Sequence, residues 1–195
     1  MRKKTRPIIL ASRSPARQEL LRQIGLKFQV AASAAPEQRR AQGKVSAMVV
    51  TNAVNKARGV ARRFTSGVVI GADTVVLAGK KIIGKPKSLE DAFRTIKLLS
   101  RGPQWVYSGI AVIDIDAKKL YTAYEKTKIY MYALSDTQIR NYFKRVSPLD
   151  KAGSFDIQGI GGIFIDRIEG CYFNVVGLPL AKLARILEQI GINWL

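Results

Sequence analysis

Short apolar runs bounded by turn residues recur along the chain and predict the strands of a sheet. These runs span residues 7–12, 26–32, 68–77, 105–115, 119–134 and 162–168. The run 68–77 is β-branched and almost continuously apolar, which is typical of a strand buried on both faces. Only one acid, Asp73, interrupts it.

Apolar residues three and four positions apart predict helices between these strands. The predicted helices span residues 15–24, 45–64, 88–100, 135–146 and 180–190. Ser14-Pro15 has the pattern of an N-cap followed by proline at the first helical position, and Gly25 ends that helix. The alternation, with both crossovers and hairpins, predicts an α/β fold with a mixed sheet flanked by helices.

Length and composition indicate the number of domains and the class of protein. The length of 195 residues suits a single domain over 1–195, with a basic tail at 1–6. Hydrophobic residues make up 47% of the chain and the mean hydropathy is zero, as in globular proteins. The apolar stretch 7–11 is too short for a signal peptide, and no run reaches the roughly 20 residues of a membrane helix. We therefore expect a cytoplasmic protein without a membrane partner.

Histidine is absent, and Cys171 is the only cysteine. The missing histidines exclude Ser-His-Asp and Cys-His nucleophiles, HExxH zinc sites and histidine general bases. A single cysteine excludes an internal disulfide and multi-cysteine metal sites. Acid–base chemistry must therefore fall on carboxylates, lysines, tyrosines or water.

The net charge of +19 is uneven along the chain. Residues 1–63 hold 15 Lys and Arg against 2 Asp and Glu, whereas residues 64–195 hold 18 against 12. Such a surface attracts polyanions. Nucleotides, nucleic acids and acidic lipids all fit, and the charge alone does not choose among them.

Asp73 is the first candidate for chemistry, because burying a carboxylate without a partner is costly. Gly71 and Ala72 leave space beside it for a closely approaching group. A structural acid, bonded to the backbone or to a buried lysine, explains the segment equally well.

Several separated positions could bind phosphate. Ser12 lies in a strand-to-helix turn and Arg17 in the first helical turn, where amide groups and the helix dipole favour anions. Lys56 sits among apolar positions of the long helix, and Lys85 precedes Pro86. Each lysine alone is more often a solvated charge.

The loop 149–159 is polar and rich in small residues, as functional loops and ordinary surface connections both are. Gln158 in this loop could bond a base edge through its amide.

The ordered set of motifs resembles the Maf family of nucleoside triphosphate pyrophosphatases. The matching segments are Ile9-Leu10-Ala11-Ser12-Arg13-Ser14-Pro15-Ala16-Arg17, Asn55-Lys56-Ala57, Gly71-Ala72-Asp73-Thr74-Val75-Val76, Gly84-Lys85-Pro86, Asp150-Lys151-Ala152-Gly153, Ile157-Gln158-Gly159 and Val175-Val176-Gly177-Leu178-Pro179-Leu180. The resemblance implies an elongated fold like that of inosine triphosphate pyrophosphatases, with two lobes around a cleft. It also implies hydrolysis of a triphosphate to the monophosphate and pyrophosphate, with a role in nucleotide house-cleaning or in division arrest. A division inhibitor that works by protein contact is a third alternative, which rests on the family's name alone.

The resemblance also implies residue roles. Asp73 matches the catalytic proton acceptor, and Asp73 with Glu37 matches the position of a divalent metal, Mg²⁺ or Mn²⁺. The positions that match substrate and phosphate binding are Ser12, Arg17, Lys56, Lys85, Asp150 and Lys151.

Three further positions bear on specificity. Thr74 and Gln158 resemble the branch that prefers dTTP and UTP, whereas Ala16 stands where the family usually has arginine. The segment Ala34-Ala35-Pro36 lacks the usual acids before Glu37, and Phe155-Asp156 replaces tyrosine–glycine. The preferred nucleotide is therefore open.

A rival interpretation is a basic nucleic-acid-binding protein that kept the fold but lost catalysis. The charge of residues 1–63 motivates it, although the chain has no recognisable nucleic-acid-binding module. The expected partner is a nucleoside triphosphate, and a homodimer is an open alternative to a monomer.

Overall fold

The computed structural model describes residues 6–192, which form an α/β structure with one mixed sheet. The strands are β1 (Ile8–Leu10), β2 (Gln29–Val30), β3 (Val68–Ala78), β4 (Lys81–Ile83), β5 (Gln104–Asp114), β6 (Lys119–Met131) and β7 (Ile165–Glu169). Hydrogen-bonded neighbours follow the order β2-β1-β3-β5-β6-β7, and β4 pairs with β3. β1 is parallel to β2 and β3, whereas β4 is antiparallel to β3 and β7 to β6. The predicted mixed α/β fold is confirmed.

Helices flank this sheet. They are α1 (Pro15–Gln23), α2 (Val45–Ala61), α3 (Leu89–Leu99), α4 (Asp136–Phe143), α5 (Tyr172–Val176) and α6 (Leu180–Gln189), with short 3-10 helices at Ala152–Ser154 and Ile160–Phe164. The side chains of Ser14, Ser88 and Ser135 each accept a hydrogen bond from an amide in the first turn of α1, α3 and α4. These contacts confirm the starts of three predicted helices.

The chain divides into two compact units. The first contains residues up to Asp73, then 108–125, and the chain from Gly177 onward. The second contains 74–107 and 126–176. The elongated shape, the cleft and the single domain over 1–195 stay predictions.

In the first unit, α2 packs closely on the sheet. A Cβ atom at Gly71 or Gly109 would collide with backbone oxygens of α2, those of Ala53 and Val49 respectively. The group that approaches Gly71 closely is therefore this helix. The buried core around it contains Ile9, Ala11, Ala31, Ala53, Val54, Ala57, Val60, Val69 and Ala111.

In the second unit, α3 and α4 cover one face of the sheet. Their apolar side chains share a core with strand residues and with the aromatic residues of the 152–164 segment. This core contains Val76, Ile83, Ile96, Leu99, Val106, Ile129, Leu134, Ile139, Tyr142, Phe155 and Phe164.

The structure differs most from the predicted elements at three places. The strand predicted over 26–32 is reduced to Gln29–Val30, and both of its residues are exposed. The strand predicted over 162–168 begins only at Ile165, because a 3-10 helix occupies the glycine-rich stretch before it. The short helix α5 was not predicted. Among the described residues, no helix has the length and apolar character needed to span a membrane.

Candidate active site

Asp73 lies in β3 and is 4% exposed. Its two carboxylate oxygens have different partners, both supplied by α2. The Lys56 ammonium donates to Oδ1 at 2.7 Å, and the Asn52 amide donates to Oδ2 at 2.8 Å. The buried charge of Asp73 is therefore both paired with a cation and hydrogen-bonded, which offsets the free-energy cost of burying it.

The geometry of α2 explains these contacts. Asn52 and Lys56 are four residues apart, so they lie on the same face of the helix. The close contact at Gly71 brings this face of α2 against β3, two residues before Asp73. Side chains two residues apart on a strand point to the same face, so Asp73 meets the helix directly.

Asn52 also fixes the segment that carries Glu37. Its Oδ1 accepts from the Gln38 amide at 2.8 Å, and its Nδ2 donates to the Gln38 carbonyl at 3.0 Å. This buried asparagine therefore joins β3 to the loop before α2. Sequence reasoning missed Asn52, although its position four residues before Lys56 was a usable signal.

Lys56 connects two acids. Its ammonium lies 2.6 Å from Glu37 Oε1 as well as 2.7 Å from Asp73 Oδ1, and it donates to the Ala72 carbonyl at 3.4 Å. A lysine has three donors, so these contacts match its full capacity. Lys56 is mostly buried, whereas the Glu37 side chain is 49% exposed. Glu37 thus forms the open side of the cluster.

Arg17 and Ser12 adjoin this cluster. The Arg17 guanidinium donates to Ser12 Oγ and to the Ala72 carbonyl, each at 3.1 Å, and to the Gly177 carbonyl at 2.9 Å. Burial lowers the pKa of Arg17, and the charges of Asp73 and Glu37 partly offset that effect.

The five side chains Ser12, Arg17, Glu37, Lys56 and Asp73 therefore belong to one constellation, the Asp73 cluster. It contains two cations and two carboxylates, so their charges balance. Ala16 is half-buried in the first turn of α1, beside Arg17. An incoming polyphosphate would need positive charge beyond this balanced set.

In the second unit, two predicted segments lie side by side. The Gly153 amide donates to the Gly84 carbonyl at 3.2 Å, which joins the chain around Lys85 to the chain around Lys151. Lys151 Nζ donates to Asp150 Oδ1 at 2.8 Å. Burial alone would raise the pKa of Asp150, but the hydrogen bond and the charge of Lys151, with a smaller effect of the Lys85 charge, bring it below its ordinary value.

Gln158 is exposed on a turn that Asp156 organises. The Asp156 carboxylate accepts a hydrogen bond from the Gly159 amide, and its Oδ2 lies 3.8 Å from Lys151 Nζ. Asp156 therefore links the turn of Gln158 to Lys151. Sequence reasoning noted Asp156 only as a departure from the family pattern. Thr74 follows Asp73 in β3, so its side chain points to the opposite face of the strand.

The Asp73 cluster has only two carboxylates that could bind a metal ion, those of Glu37 and Asp73. Among residues 6–192, no group of three or more histidine, cysteine, aspartate or glutamate side chains is arranged to hold an ion. Glu37 and Asp73 converge on one point, where the Lys56 ammonium lies.

Comparison with known proteins adds the family. The family described as Maf-like protein matches residues 7–190. This chain belongs to the Maf family. Among Maf relatives, the dTTP/UTP pyrophosphatase of Methanosarcina barkeri is 44% identical over 189 residues, which cover 96% of each chain. The dTTP/UTP pyrophosphatase of Desulforamulus reducens is 43% identical over 188 residues, covering 96% of this chain and 98% of the relative.

Among solved structures, the Nucleoside-triphosphatase / dITP/XTP pyrophosphatase from Mycobacterium abscessus is similar to this Maf chain with a TM-score of 0.46. The sequence identity is 14%, and the match covers 95% of this chain and 98% of that one.

Proposed function

We propose that this protein hydrolyses a nucleoside triphosphate, dTTP or UTP, to the monophosphate and pyrophosphate. The observation that carries the proposal is the Asp73 cluster. In it the Lys56 ammonium lies 2.7 Å from the buried Asp73 carboxylate and 2.6 Å from the Glu37 carboxylate. Relatives at 44% and 43% identity over nearly the whole chain are named dTTP/UTP pyrophosphatases, which supports this reaction for the same framework.

Asp73 is the proposed proton acceptor. Its carboxylate orients a water molecule and takes a proton from it as the water attacks the α-phosphorus. The bond from the α-phosphorus to the bridging oxygen breaks, and pyrophosphate leaves with the electron pair. With no histidine in the chain, a carboxylate is the natural base for this step.

Cations stabilise the leaving group in this proposal. Lys56 already compensates Asp73 and Glu37, so it keeps a polyanion from being repelled by the two acids. Arg17 and Ser12 bind phosphate oxygens near the start of α1, where amide groups also favour anions. Lys85 and Lys151, in the second unit, are the further cations that we propose for phosphate binding.

We propose that the carboxylates of Glu37 and Asp73 would hold a divalent cation, Mg²⁺ or Mn²⁺, in place of the Lys56 ammonium that lies between them. Both are carboxylates that already face one positive group, and magnesium sites often use one or two carboxylates together with substrate phosphates. The ion would neutralise phosphate charge there. Because the acids usual before Glu37 are absent from the segment 34–36, we expect much of the affinity for the ion to come from the bound triphosphate.

Gln158 is the proposed base-reading residue, with its amide donor and acceptor exposed on the turn that Asp156 holds. Asp150 positions Lys151 through the 2.8 Å hydrogen bond, and Thr74 and Ala16 contribute to the choice of nucleotide.

A panel of canonical and modified triphosphates, incubated with Mg²⁺ or Mn²⁺ in ¹⁸O-labelled water, tests the reaction. We expect monophosphate and pyrophosphate, fastest from dTTP or UTP, with the label in the monophosphate. Release of diphosphate and orthophosphate, or label in the pyrophosphate, would contradict attack at the α-phosphorus. A preference for a purine triphosphate would leave the reaction standing but refute the proposed substrate.

A further inference from the structure

The sheet of the second unit has a polar aromatic face opposite its core. Val106 in β5 and Ile129 in β6 point into the core beneath α3 and α4. Their neighbours Trp105 and Tyr130 are only half-buried, as alternation along a strand requires. The helices of this unit's core therefore cover one face of these strands, and the other face is lined by rings and cations.

These rings and cations form a continuous series. Lys126 and Lys128 of β6 lie over the Trp105 ring, with their Nζ atoms 5.0 and 5.7 Å from its centroid. Lys128 Nζ is also 4.8 Å from the Tyr130 centroid, and the Arg167 guanidinium stacks at 3.6 Å on the same ring. We call these five residues the cation–aromatic ladder.

The strand register explains the ladder. Tyr130 pairs directly with Arg167 across β6 and β7, which sets the guanidinium on the ring. Lys126, Lys128 and Tyr130 follow one another at every second position of β6, so they share a face. Since a strand rises about 3.3 Å per residue, the ladder extends roughly 13 Å along β6.

The ladder is positively charged. It carries three cations, and the acids Asp166 and Glu169 both contact Arg167, at 3.0 and 3.8 Å. Glu169 also pairs with Lys128 across β6 and β7, so these three cations face two acids and keep a positive surplus. The net charge of +19 on the whole chain adds to the attraction for a polyanion.

We propose that the cation–aromatic ladder binds single-stranded nucleic acid. Aromatic rings alternating with cations provide both contacts that such a strand needs, stacking surfaces for bases and charges for phosphates. Stacking tolerates any base, so the binding is independent of sequence. Lys126 and Lys128 move from the Trp105 ring to the phosphates, and a base takes their place on the ring.

A second copy of this chain is a poorer occupant, because it would set one positive ladder against another or against a surface of the same strongly positive molecule. The charge therefore favours an anionic strand. This binding is separate from the proposed hydrolysis, since none of the five ladder residues belongs to the Asp73 cluster.

Fluorescence anisotropy with labelled oligothymidylate and oligouridylate of about 12 nucleotides tests the proposal on the full-length chain. For the wild type we expect saturable binding that weakens as salt rises. The double variant Lys126→Gln/Lys128→Gln should bind at least about tenfold more weakly, and its salt slope should fall by about 1.4, which is about 0.7 for each lost phosphate contact.

The matched control is Lys144→Gln/Arg145→Gln, which removes the same charge from two exposed residues after α4. It should bind within about threefold of the wild type, because it lowers only the general attraction. Equal weakening by both double variants, or no binding by the wild type near physiological salt, would overturn the proposal.

Tryptophan emission tests stacking directly. In a Trp194→Phe background, Trp105 is the only tryptophan. We expect its emission to be quenched on binding, and Trp105→Leu to weaken binding at least about fivefold while Trp105→Phe retains it. Unchanged emission would overturn the assignment. So would displacement of the oligonucleotide by a non-hydrolysable triphosphate, because the ladder would then be part of the substrate site.

Discussion

At the scale of single residues, Asn52 and Lys56 stabilise the buried carboxylate of Asp73 in β3. Each satisfies one oxygen of Asp73, and Asn52 satisfies two backbone groups of Gln38 as well. From the sequence alone, Asp73 could be either a structural or a functional acid. The lysine partner that the structural alternative required is also the residue that the family resemblance assigns to phosphate binding.

We expect Asn52→Ala to lower the free energy of unfolding by about 1–3 kcal/mol, because it leaves the buried Asp73 Oδ2 and the Gln38 backbone without this partner. Urea denaturation measures the change. Thr51→Ala, at an exposed neighbour in α2, is the control and should stay within about 0.5 kcal/mol of the wild type. A loss no larger than the control's would contradict the bridging role of Asn52.

Asp114 gives a pH-dependent prediction. Burial alone would raise its pKa, but hydrogen bonds from the Ala117 amide and from Arg6, whose Nη1 lies 2.7 Å away, bring it below the ordinary 3.8. A carboxyl with a depressed pKa in the folded state stabilises the fold above its ordinary pKa. That contribution is lost as the pH falls through the folded-state value.

Asp114→Asn should therefore destabilise the protein by about 1–3 kcal/mol at pH 7, and by clearly less near pH 3. Urea denaturation at both values measures the difference between wild type and variant. Glu19→Gln, in an exposed ion pair with Arg22, should change stability little at either pH. A deficit for Asp114→Asn that is equally large at both values would refute the pKa assignment.

At the scale of elements, the contact between α2 and β3 positions the Asp73 cluster. Because the backbone of α2 lies where a Cβ at Gly71 would be, the helix can approach only a glycine there. The sequence indicated that Gly71 leaves space for a closely approaching group, but not that this group is α2. A one-dimensional pattern does not reveal which element packs against which.

Gly71→Ala should lower stability by at least about 1–3 kcal/mol and also reduce turnover, because α2 carries Lys56 and Asn52. Gly59→Ala, on an exposed part of the same helix, should be neutral or stabilising by up to about 1 kcal/mol. Thermal unfolding measures the stability of both variants, and an activity assay measures their turnover. Wild-type stability and turnover in Gly71→Ala would show that the close contact is unimportant.

The elements that could be predicted from sequence are those with strong local signals. β3 and the serine-capped helices α1, α3 and α4 lie close to their expected positions, since apolar periodicity and capping are encoded locally. β2 and β7 were predicted too long and α5 was missed, because short elements depend on tertiary hydrogen bonds. Asp156 shows the same limit, since its bond to Gly159 has no distinctive sequence signature.

At the scale of the whole molecule, the family motifs predicted which residues to examine but not how the chain groups them. Asp73, Lys56, Glu37, Arg17 and Ser12 come together within the first unit, and Lys85, Asp150, Lys151 and Gln158 belong to the second. Spacing along the chain gives the order of the motifs, whereas membership of a compact unit depends on long-range packing.

The net charge of +19 gives a prediction for the whole molecule. Long-range attraction should raise the rate of encounter with a triphosphate, and salt should screen it, since the Debye length is about 8 Å at 0.15 M. We expect kcat/KM to fall as KCl rises from about 0.05 to 0.5 M, with kcat changing much less. Steady-state kinetics at fixed free Mg²⁺ measure both. A kcat/KM independent of salt would contradict charge steering.

Turnover of dTTP or UTP by Asp73→Asn tests whether Asp73 carries the release of pyrophosphate. We expect a kcat at least about a hundredfold below that of the wild type, because the proton acceptor is lost. Denaturant unfolding and the affinity for a non-hydrolysable triphosphate serve as controls that the fold and the binding site are retained. Turnover within a few-fold of the wild type would show that Asp73 is not the proton acceptor.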